Sequence, residues 1–180
     1  KVYKGATGVF GSPVVPADKG LWELVARYDV MENKDLLDTK TTSALLGVNL
    51  LRFALWLRNG SLPKAAVITG QHNPFAERFA QRERLHGLYM GFANKPYAFD
   101  AFLTKHGLEA DEVAFVFDDA IDLPVAARCG FRVLIGSPAT AWFVDQVVAR
   151  GEADLVTGNS GGNNGLREAT DALIALLGNG

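Results

Sequence analysis

Apolar runs that end in glycine or turn residues alternate along the chain with longer segments of helical periodicity. Short apolar runs are typical of strands buried in a parallel sheet, and the alternation indicates β-α units. The predicted strands are residues 2–10, 65–68, 87–90, 113–117 and 131–135. The predicted helices are residues 44–57, 74–84, 97–106, 123–128, 141–149 and 165–177. The pattern therefore predicts an α/β fold with a Rossmann-like, doubly wound parallel sheet, organised as one domain over residues 1–180.

The least patterned segment is residues 11–42, which contains Pro13, Pro16 and a short apolar cluster around Trp22. We predict a loop or hairpin excursion here, after the first strand. Ligands of doubly wound sheets bind beyond the carboxyl ends of the strands. The residues that follow each strand are therefore the candidates for chemistry.

Composition narrows the classes of protein to consider. The chain has 180 residues, of which 48% are hydrophobic and 21% charged, as in ordinary soluble globular domains. Its net charge of -2 favours neither nucleic acid nor an anionic membrane surface as a partner. No apolar run approaches the roughly 20 residues of a membrane span, and no signal peptide pattern is present. The single cysteine, Cys129, cannot form an intramolecular disulfide, so we expect a cytoplasmic protein.

Two strand ends carry groups that can bind a phosphate. Thr69 and Gly70 follow the second strand, where a hydroxyl and a backbone N–H can hold a phosphate oxygen; a plain turn is the alternative. Lys95 follows the third strand and can place a positive charge on the same phosphate; the alternative is a solvated loop lysine.

A third strand end is acidic. Asp118, Asp119 and Asp122 follow the fourth strand, and carboxylates clustered in this way favour a hard cation such as Mg²⁺. The alternative is that Asp119 or Asp122 caps the N-terminus of the next helix.

The order of these groups resembles the motifs of a known family. The motif-like sequences are Val67-Ile68-Thr69-Gly70, Gly91-Phe92-Ala93-Asn94-Lys95, Val116-Phe117-Asp118-Asp119-Ala120-Ile121-Asp122-Leu123-Pro124 and Gly161-Gly162-Asn163-Asn164-Gly165-Leu166-Arg167-Glu168. In this order they resemble the second, third and fourth motifs and the C-terminal signature of the haloacid dehalogenase superfamily. The likeness is to its small capless sugar-phosphate phosphatases, and it covers about residues 45–177.

The resemblance implies a fold with no large cap domain and a small hairpin or flap after the first strand. It also implies a tetramer and a small phosphorylated or anionic ligand. The implied phosphate-binding residues are Thr69, Gly70, Lys95 and Arg167, and the implied metal ligands are Asp118 and Asp119.

The family's catalytic carboxylates are missing from the matching position. The family uses an Asp-x-Asp at the end of the first strand, where one aspartate attacks phosphorus and the other is the general acid and base. Aligning the family's following Gly-Val on Gly8 and Val9 puts Gly5 and Thr7 at these two positions. Asp18 is the first carboxylate of the sequence. We therefore predict that the aspartyl-phosphate route is absent and that Mg²⁺ is held weakly unless an anion accompanies it.

Other departures from the family's motifs also indicate an impaired site. Phe117 replaces the family's glycine before the paired aspartates and is predicted to crowd the floor of the site. Gln71 stands where the family often has an arginine, and Ala44 where it often has an aspartate.

These observations leave three hypotheses open. The first is a pseudoenzyme that keeps Thr69, Lys95 and the acidic loop for anion binding or only for its shape. The second is an active hydrolase with a rearranged site, in which Asp118 or Asp119 activates a metal-bound water. The third is a structural subunit that assembles with itself or with an active partner, for which residues 159–167 have the glycine content.

Overall fold

A computed structural model describes residues 3–4, 23–26 and 39–178, with side chains from Ser43 onward. The strands are β1 (Tyr3–Lys4), β2 (Glu23–Ala26), β3 (Ala65–Thr69), β4 (Gly87–Met90), β5 (Val113–Phe117), β6 (Phe131–Leu134) and β7 (Leu155–Val156). The helices are α1 (Thr39–Asn59), α2 (Pro74–Arg82), α3 (Lys95–His106), α4 (Leu123–Ala126), α5 (Ala141–Arg150) and α6 (Gly165–Gly178). Short 3-10 turns precede α4, α5 and α6.

The strands form one 7-stranded sheet in the order β1-β7-β6-β5-β2-β3-β4, and every pair is parallel. Successive side chains of a strand point to opposite faces, so Val67 of β3 belongs to one apolar cluster and Ile68 to the other. The first cluster contains buried residues of α1, α2 and α6, and the second those of α3, α4 and α5. The helices therefore cover both faces, and the predicted doubly wound α/β fold is confirmed.

Asparagine caps fix the loops that follow β3 and β4. The Asn73 side chain accepts hydrogen bonds from the backbone N–H groups of Phe75 and Ala76, and Pro74 occupies the first turn of α2. Asn94 caps α3 in the same way, by accepting from the Tyr97 N–H. Each helix thus begins within a few residues of its strand, at the carboxyl edge of the sheet.

The loop prediction for residues 11–42 is wrong where the structure describes that segment, while the strand predicted over residues 2–10 is a strand at the residues described. Tyr3–Lys4 lies at the edge of the sheet, whereas Glu23–Ala26, predicted as loop, is a strand between β3 and β5. A run of four residues that starts with a glutamate is too short and too polar at one end for the strand pattern to reveal. The hairpin or flap otherwise lies outside the described residues.

Two smaller differences between the predicted and the observed elements also arise from short or polar segments. Helix α1 begins at Thr39 instead of Ala44, because its polar first turn has no apolar periodicity to predict it. Strand β7 was not predicted, since Leu155–Val156 has only 2 residues. None of the helices in the described ranges has the length and apolarity needed to span a bilayer.

Candidate functional site

The carboxyl ends of β3, β2 and β5 meet at one edge of the sheet. Ala26 pairs with Val67 on one side and with Val116 on the other. Thr69 and Asp118 each lie two positions beyond those partners, so they follow the two strands at the same level. Strand β4 joins this edge through the pairing of Thr69 with Met90. The structure therefore brings together the predicted residues that follow these strands.

Thr69 and Gly70 form a tight turn. The fully buried Thr69 hydroxyl lies 3.3 Å from both the backbone N and the backbone O of Gln71. A Cβ on Gly70 would lie 3.8 Å from the carbonyl oxygen of Phe92, so the loops after β3 and β4 are neighbours. Residues 69–71 therefore form the turn that was the alternative to a phosphate site in the sequence analysis. The backbone N–H groups of this turn lie at the sheet edge where a phosphate would bind.

Lys95 is the first residue of α3 and is buried rather than solvated. Its Nζ atom lies 2.6 Å from Oδ1 of Asp122, with the two side chains 2% and 0% exposed. Asp122 opens α4 but makes no side-chain capping bond. The pair therefore joins the loop after β4 to the turn after β5, and the lysine charge is largely balanced within the protein.

The two predicted metal ligands differ in their surroundings. Asp118 is half-buried at the end of β5. Asp119 is exposed and caps the following 3-10 turn by accepting from the Ala120 N–H at 2.6 Å. Among the residues that the structure describes, no group of three or more His, Cys, Asp or Glu side chains is placed to hold a metal ion. The described side chains by themselves therefore do not supply a complete Mg²⁺ site.

Arg167 lies in the first turn of α6, where it is held by its own helix. Its Nε atom lies 2.8 Å from both carboxylate oxygens of Asp171, one turn later. The side chain also packs on α1, since a Cβ on Gly47 would lie 2.9 Å from the Arg167 Cδ. The carboxylate that orients this predicted phosphate ligand is thus Asp171.

Phe117, the residue predicted to crowd the floor of the site, is the last residue of β5. It is buried in the second apolar cluster, where its ring stacks on Phe115 at a centroid distance of 5.9 Å. Residues two apart on a strand point to the same face, so the aromatic ring of residue 117 extends into the core below α3 and α4. The two other residues that differ from the family's pattern are Gln71, which is exposed, and Ala44, which is buried in the first apolar cluster.

Glu168 is a site-edge residue that the sequence analysis did not single out. Its carboxylate accepts hydrogen bonds from the backbone N–H groups of Gly158 and Asn159 and from the Asn159 side chain, at 2.8 to 2.9 Å. The buried Thr157 hydroxyl accepts from the Gly136 N–H at 3.0 Å and donates to the Asn159 carbonyl. These bonds tie together the loops after β6 and β7. The signal in the sequence was the Arg-Glu pair that ends the C-terminal signature.

A group of rings lies beside the loop after β4. The His72 ring approaches Gly91, where a Cβ would lie 3.4 Å from Nε2. Phe92 stacks on the exposed Tyr97 with ring centroids 6.3 Å apart, and Tyr89 meets Phe92 edge to face. Burial raises the pKa of the Tyr89 hydroxyl. No periodicity could have revealed this group, because its members come from a strand, two loops and a helix.

Gly5 and Thr7 lie outside the described residues. The strand that precedes them, β1, pairs with β7 at the sheet edge, with β7 and β6 between it and β5. The strand that ends between Thr69 and Asp118 is β2.

The chain is similar in sequence to known sugar-phosphate phosphatases. No protein-family model matches the chain. The 3-deoxy-D-manno-octulosonate 8-phosphate phosphatase KdsC of Escherichia coli K12 is 32% identical over 115 residues, which are 64% of this chain and 57% of that protein. KdsC of Haemophilus influenzae is 24% identical over 64% of this chain and 60% of its own length. The match thus spans somewhat more than half the length of these relatives.

Solved structures agree with the sequence matches. The "probable yrbi family phosphatase" of Pseudomonas syringae pv. phaseolica has a TM-score of 0.68 and 26% identity, covering 89% of both chains. The phosphatase of Moraxella catarrhalis, solved with magnesium, phosphate and KDO, has a TM-score of 0.67 and 20% identity, covering 89% of this chain and 90% of its own. Together with the motifs at the carboxyl edge of the sheet, these matches support a protein of the haloacid dehalogenase superfamily that is similar to KdsC phosphatases.

Proposed function

We propose that this protein is a catalytically impaired phosphatase homologue that binds a small phosphorylated or anionic ligand at the carboxyl edge of the sheet. The observation that carries the proposal is the lack of aspartates at the positions that match the family's first motif. The motif resemblance puts Gly5 at the nucleophile position and Thr7 at the acid/base position. Neither residue is an aspartate that could attack phosphorus.

The charges at this edge limit how an anion would bind. The described strand ends carry one ammonium group, on Lys95, and the carboxylates of Asp118, Asp119 and Asp122. Because Asp122 already balances Lys95, a phosphate dianion would meet net negative charge. We therefore expect phosphate alone to bind weakly, through the N–H groups and the hydroxyl of the Thr69 turn, and more tightly with Mg²⁺ as its counter-ion.

Titration calorimetry with inorganic phosphate, with and without Mg²⁺, tests the binding. Replacing Thr69 by Val removes the hydroxyl at nearly constant volume and should weaken phosphate binding about fivefold. Thr104→Val, on the exposed surface of α3, is the matched control and should bind as the unchanged chain does. Equal affinity in the Thr69 variant and the control would contradict the proposed position of the ligand.

Hydrolysis of p-nitrophenyl phosphate and of sugar phosphates with Mg²⁺ tests the impairment. Loss of a covalent nucleophile typically lowers kcat by several orders of magnitude, so we expect no turnover above background. Turnover at rates ordinary for phosphatases, abolished by Asp118→Ala, would refute the proposal.

One observation favours a second candidate, an active phosphatase with a rearranged site. The central strand β2 is followed along the chain by acidic residues, of which Asp29 is the first. If the protein hydrolyses phosphate esters and Asp29→Asn abolishes that activity while Asp35→Asn does not, the second candidate replaces the first.

A further inference from the structure

The rings beside the loop after β4 adjoin the position proposed for the phosphate. A Cβ on Gly70 would lie 3.8 Å from the Phe92 carbonyl oxygen, and a Cβ on Gly91 would lie 3.4 Å from Nε2 of His72. The loop that carries Phe92 is therefore a neighbour of the Thr69 turn, whose hydroxyl and N–H groups are the proposed phosphate ligands. An organic group attached to that phosphate can extend over this loop.

Phe92 and Tyr97 form a stacked pair in which one ring is anchored and the other is exposed. Their ring centroids are 6.3 Å apart, and their planes differ by 25°. Phe92 packs against the second apolar cluster together with Tyr89, which meets it edge to face. Tyr97 is 66% exposed. Because the core holds the inner ring and the outer ring stacks on it, the outer ring is oriented before any ligand binds.

The position of Tyr97 follows a pattern among the exposed apolar side chains. In the part of the chain that the structure describes, the large ones outside α1 and the loop after it are Tyr97, Ile121 and Trp142. They lie in the first helical turns after β4, β5 and β6, at the carboxyl edge of the sheet. Single exposed apolar residues are ordinary, but a set at the edge that holds the candidate site can contact its ligand. Of the three, Tyr97 stacks on the loop that adjoins the Thr69 turn.

The charges beside the site limit the chemistry of the rest of the ligand. Lys95 is paired with Asp122, and Arg167 is paired with Asp171. A second acidic group on the ligand would have to displace one of these carboxylates to gain an ion pair. An aromatic ring needs no counter-ion, and it is stabilised by stacking on an exposed ring. The site therefore fits an uncharged aromatic group better than a second anionic one.

We propose that the ligand is a phosphate monoester of an aromatic group, and that its ring stacks on the exposed face of Tyr97. This inference rests on the proposed function, because the phosphate is anchored at the Thr69 turn. Tyr97 would then bind the ligand in the way that Phe92 already binds Tyr97. Tyr97 is thus a specificity-determining residue, which contacts the organic part of the ligand and no reacting atom.

Titration calorimetry with three phosphonates and Mg²⁺ tests the ligand class, since a phosphonate keeps the dianion and has no ester bond to hydrolyse. Benzylphosphonate carries an aromatic ring, cyclohexylmethylphosphonate a nonplanar ring of the same size, and methylphosphonate no ring. We expect the benzyl compound to bind about tenfold more tightly than the methyl compound and severalfold more tightly than the cyclohexylmethyl compound. Equal affinity for the two compounds with rings would overturn the aromatic assignment.

Variants of Tyr97 test where the ring binds. Tyr97→Ala should abolish most of the preference for benzylphosphonate over methylphosphonate, whereas Tyr97→Phe keeps the stacking ring and should retain the preference. Trp56→Ala removes an exposed ring from α1 and is the matched control, which should also retain it. Circular dichroism verifies that the variants are folded. A preference that Tyr97→Ala leaves unchanged would overturn the proposed position of the ring.

The same ligands separate this inference from the proposed function. Inorganic phosphate and methylphosphonate report only on the anion position. If both bind and Thr69→Val weakens them, but the benzyl compound binds no more tightly, the proposed function stands and the aromatic ligand is wrong. If none of these compounds binds with or without Mg²⁺, the proposed function is refuted, and the aromatic ligand with it.

Discussion

The Nζ atom of Lys95 lies 2.6 Å from the Oδ1 atom of Asp122, and both side chains are almost completely shielded from solvent. Desolvating two charges is costly, and their attraction offsets that cost only while both partners remain. The pair links the first turn of α3 to the turn that opens α4. It therefore orders the two loops that carry the candidate phosphate and metal residues.

Breaking this pair should destabilise the protein strongly. Asp122→Ala leaves the lysine charge buried without its carboxylate, and we expect the free energy of unfolding to fall by about 3–5 kcal/mol. Urea denaturation followed by circular dichroism measures the change. The double variant Lys95→Met/Asp122→Leu removes both charges at similar volume and should recover most of the loss.

An exposed pair provides the comparison. Arg128 and Asp100 are 2.7 Å apart with side chains 40% and 55% exposed. Asp100→Ala should cost no more than about 1 kcal/mol, since solvent screens the pair. If Asp122→Ala and Asp100→Ala had equal effects, burial would not be the source of the Lys95–Asp122 contribution.

The sequence predicted the parallel sheet well where strands are long and apolar. Ala65–Thr69 and Val113–Phe117 are buried at every position, so their apolar runs identify them without any information on packing. Glu23–Ala26 and Leu155–Val156 were missed because their strand identity comes from neighbouring strands rather than from their own residues.

The sequence predicted that the candidate residues share one edge of the sheet, but it did not predict their contacts. Thr69, Lys95 and Asp118 follow β3, β4 and β5, and the carboxyl ends of parallel strands share one edge of the sheet. The pairing of Lys95 with Asp122 and the direction of the Phe117 ring depend on long-range packing. A one-dimensional pattern gives residue types and faces, but it cannot give the partner of a buried charge.

The carboxylate of Glu168 should hold the loop after β7 in place. Glu168→Ala removes the acceptor of three hydrogen bonds from Gly158 and Asn159. Because the group is partly exposed, we expect a loss of about 1–2 kcal/mol in the free energy of unfolding. Amide hydrogen exchange at residues 158 and 159 should accelerate more than in the core strands.

Glu77→Ala is the control for this loop. Glu77 is exposed on α2 and accepts only from the Gln81 side chain at 3.3 Å. Its removal should leave exchange at residues 158 and 159 unchanged. Equal protection of those amides in Glu168→Ala and in the unchanged chain would mean that the carboxylate does not hold the loop.

The protein should lose stability as the pH falls below neutrality. Burial lowers the pKa of His86 and of His106 from the ordinary value of 6.5, with further lowering by the nearby charges of Lys64 and Lys105. The folded chain thus binds these protons less readily than the unfolded chain, and acid favours unfolding. His86 Nδ1 also accepts from the Ala65 N–H at 3.2 Å, a bond that protonation of this nitrogen would break.

Urea titrations between about pH 7.5 and about pH 5.5 measure how the free energy of unfolding depends on pH. Most carboxylates stay ionised throughout this range. The free energy of unfolding should decrease towards the acid end. His86→Asn keeps a possible acceptor without the titration and should flatten the slope. His72→Asn, at the opposite end of β4 and exposed, should retain it. An unchanged slope in His86→Asn would assign the acid sensitivity to other groups.

The close approach of α1 to α6 depends on Gly47. A Cβ at this position would overlap the Thr170 Oγ1 and lie 3.4 Å from the Arg167 Cα. Gly47→Ala should therefore force the helices apart at a cost of about 1–3 kcal/mol, which outweighs the gain of up to about 1 kcal/mol from replacing a glycine in a helix. Thermal or urea denaturation should show net destabilisation. Adding Thr170→Ala removes the closest contact and should restore part of the loss, whereas Gly178→Ala, with open space around the new Cβ, should not destabilise.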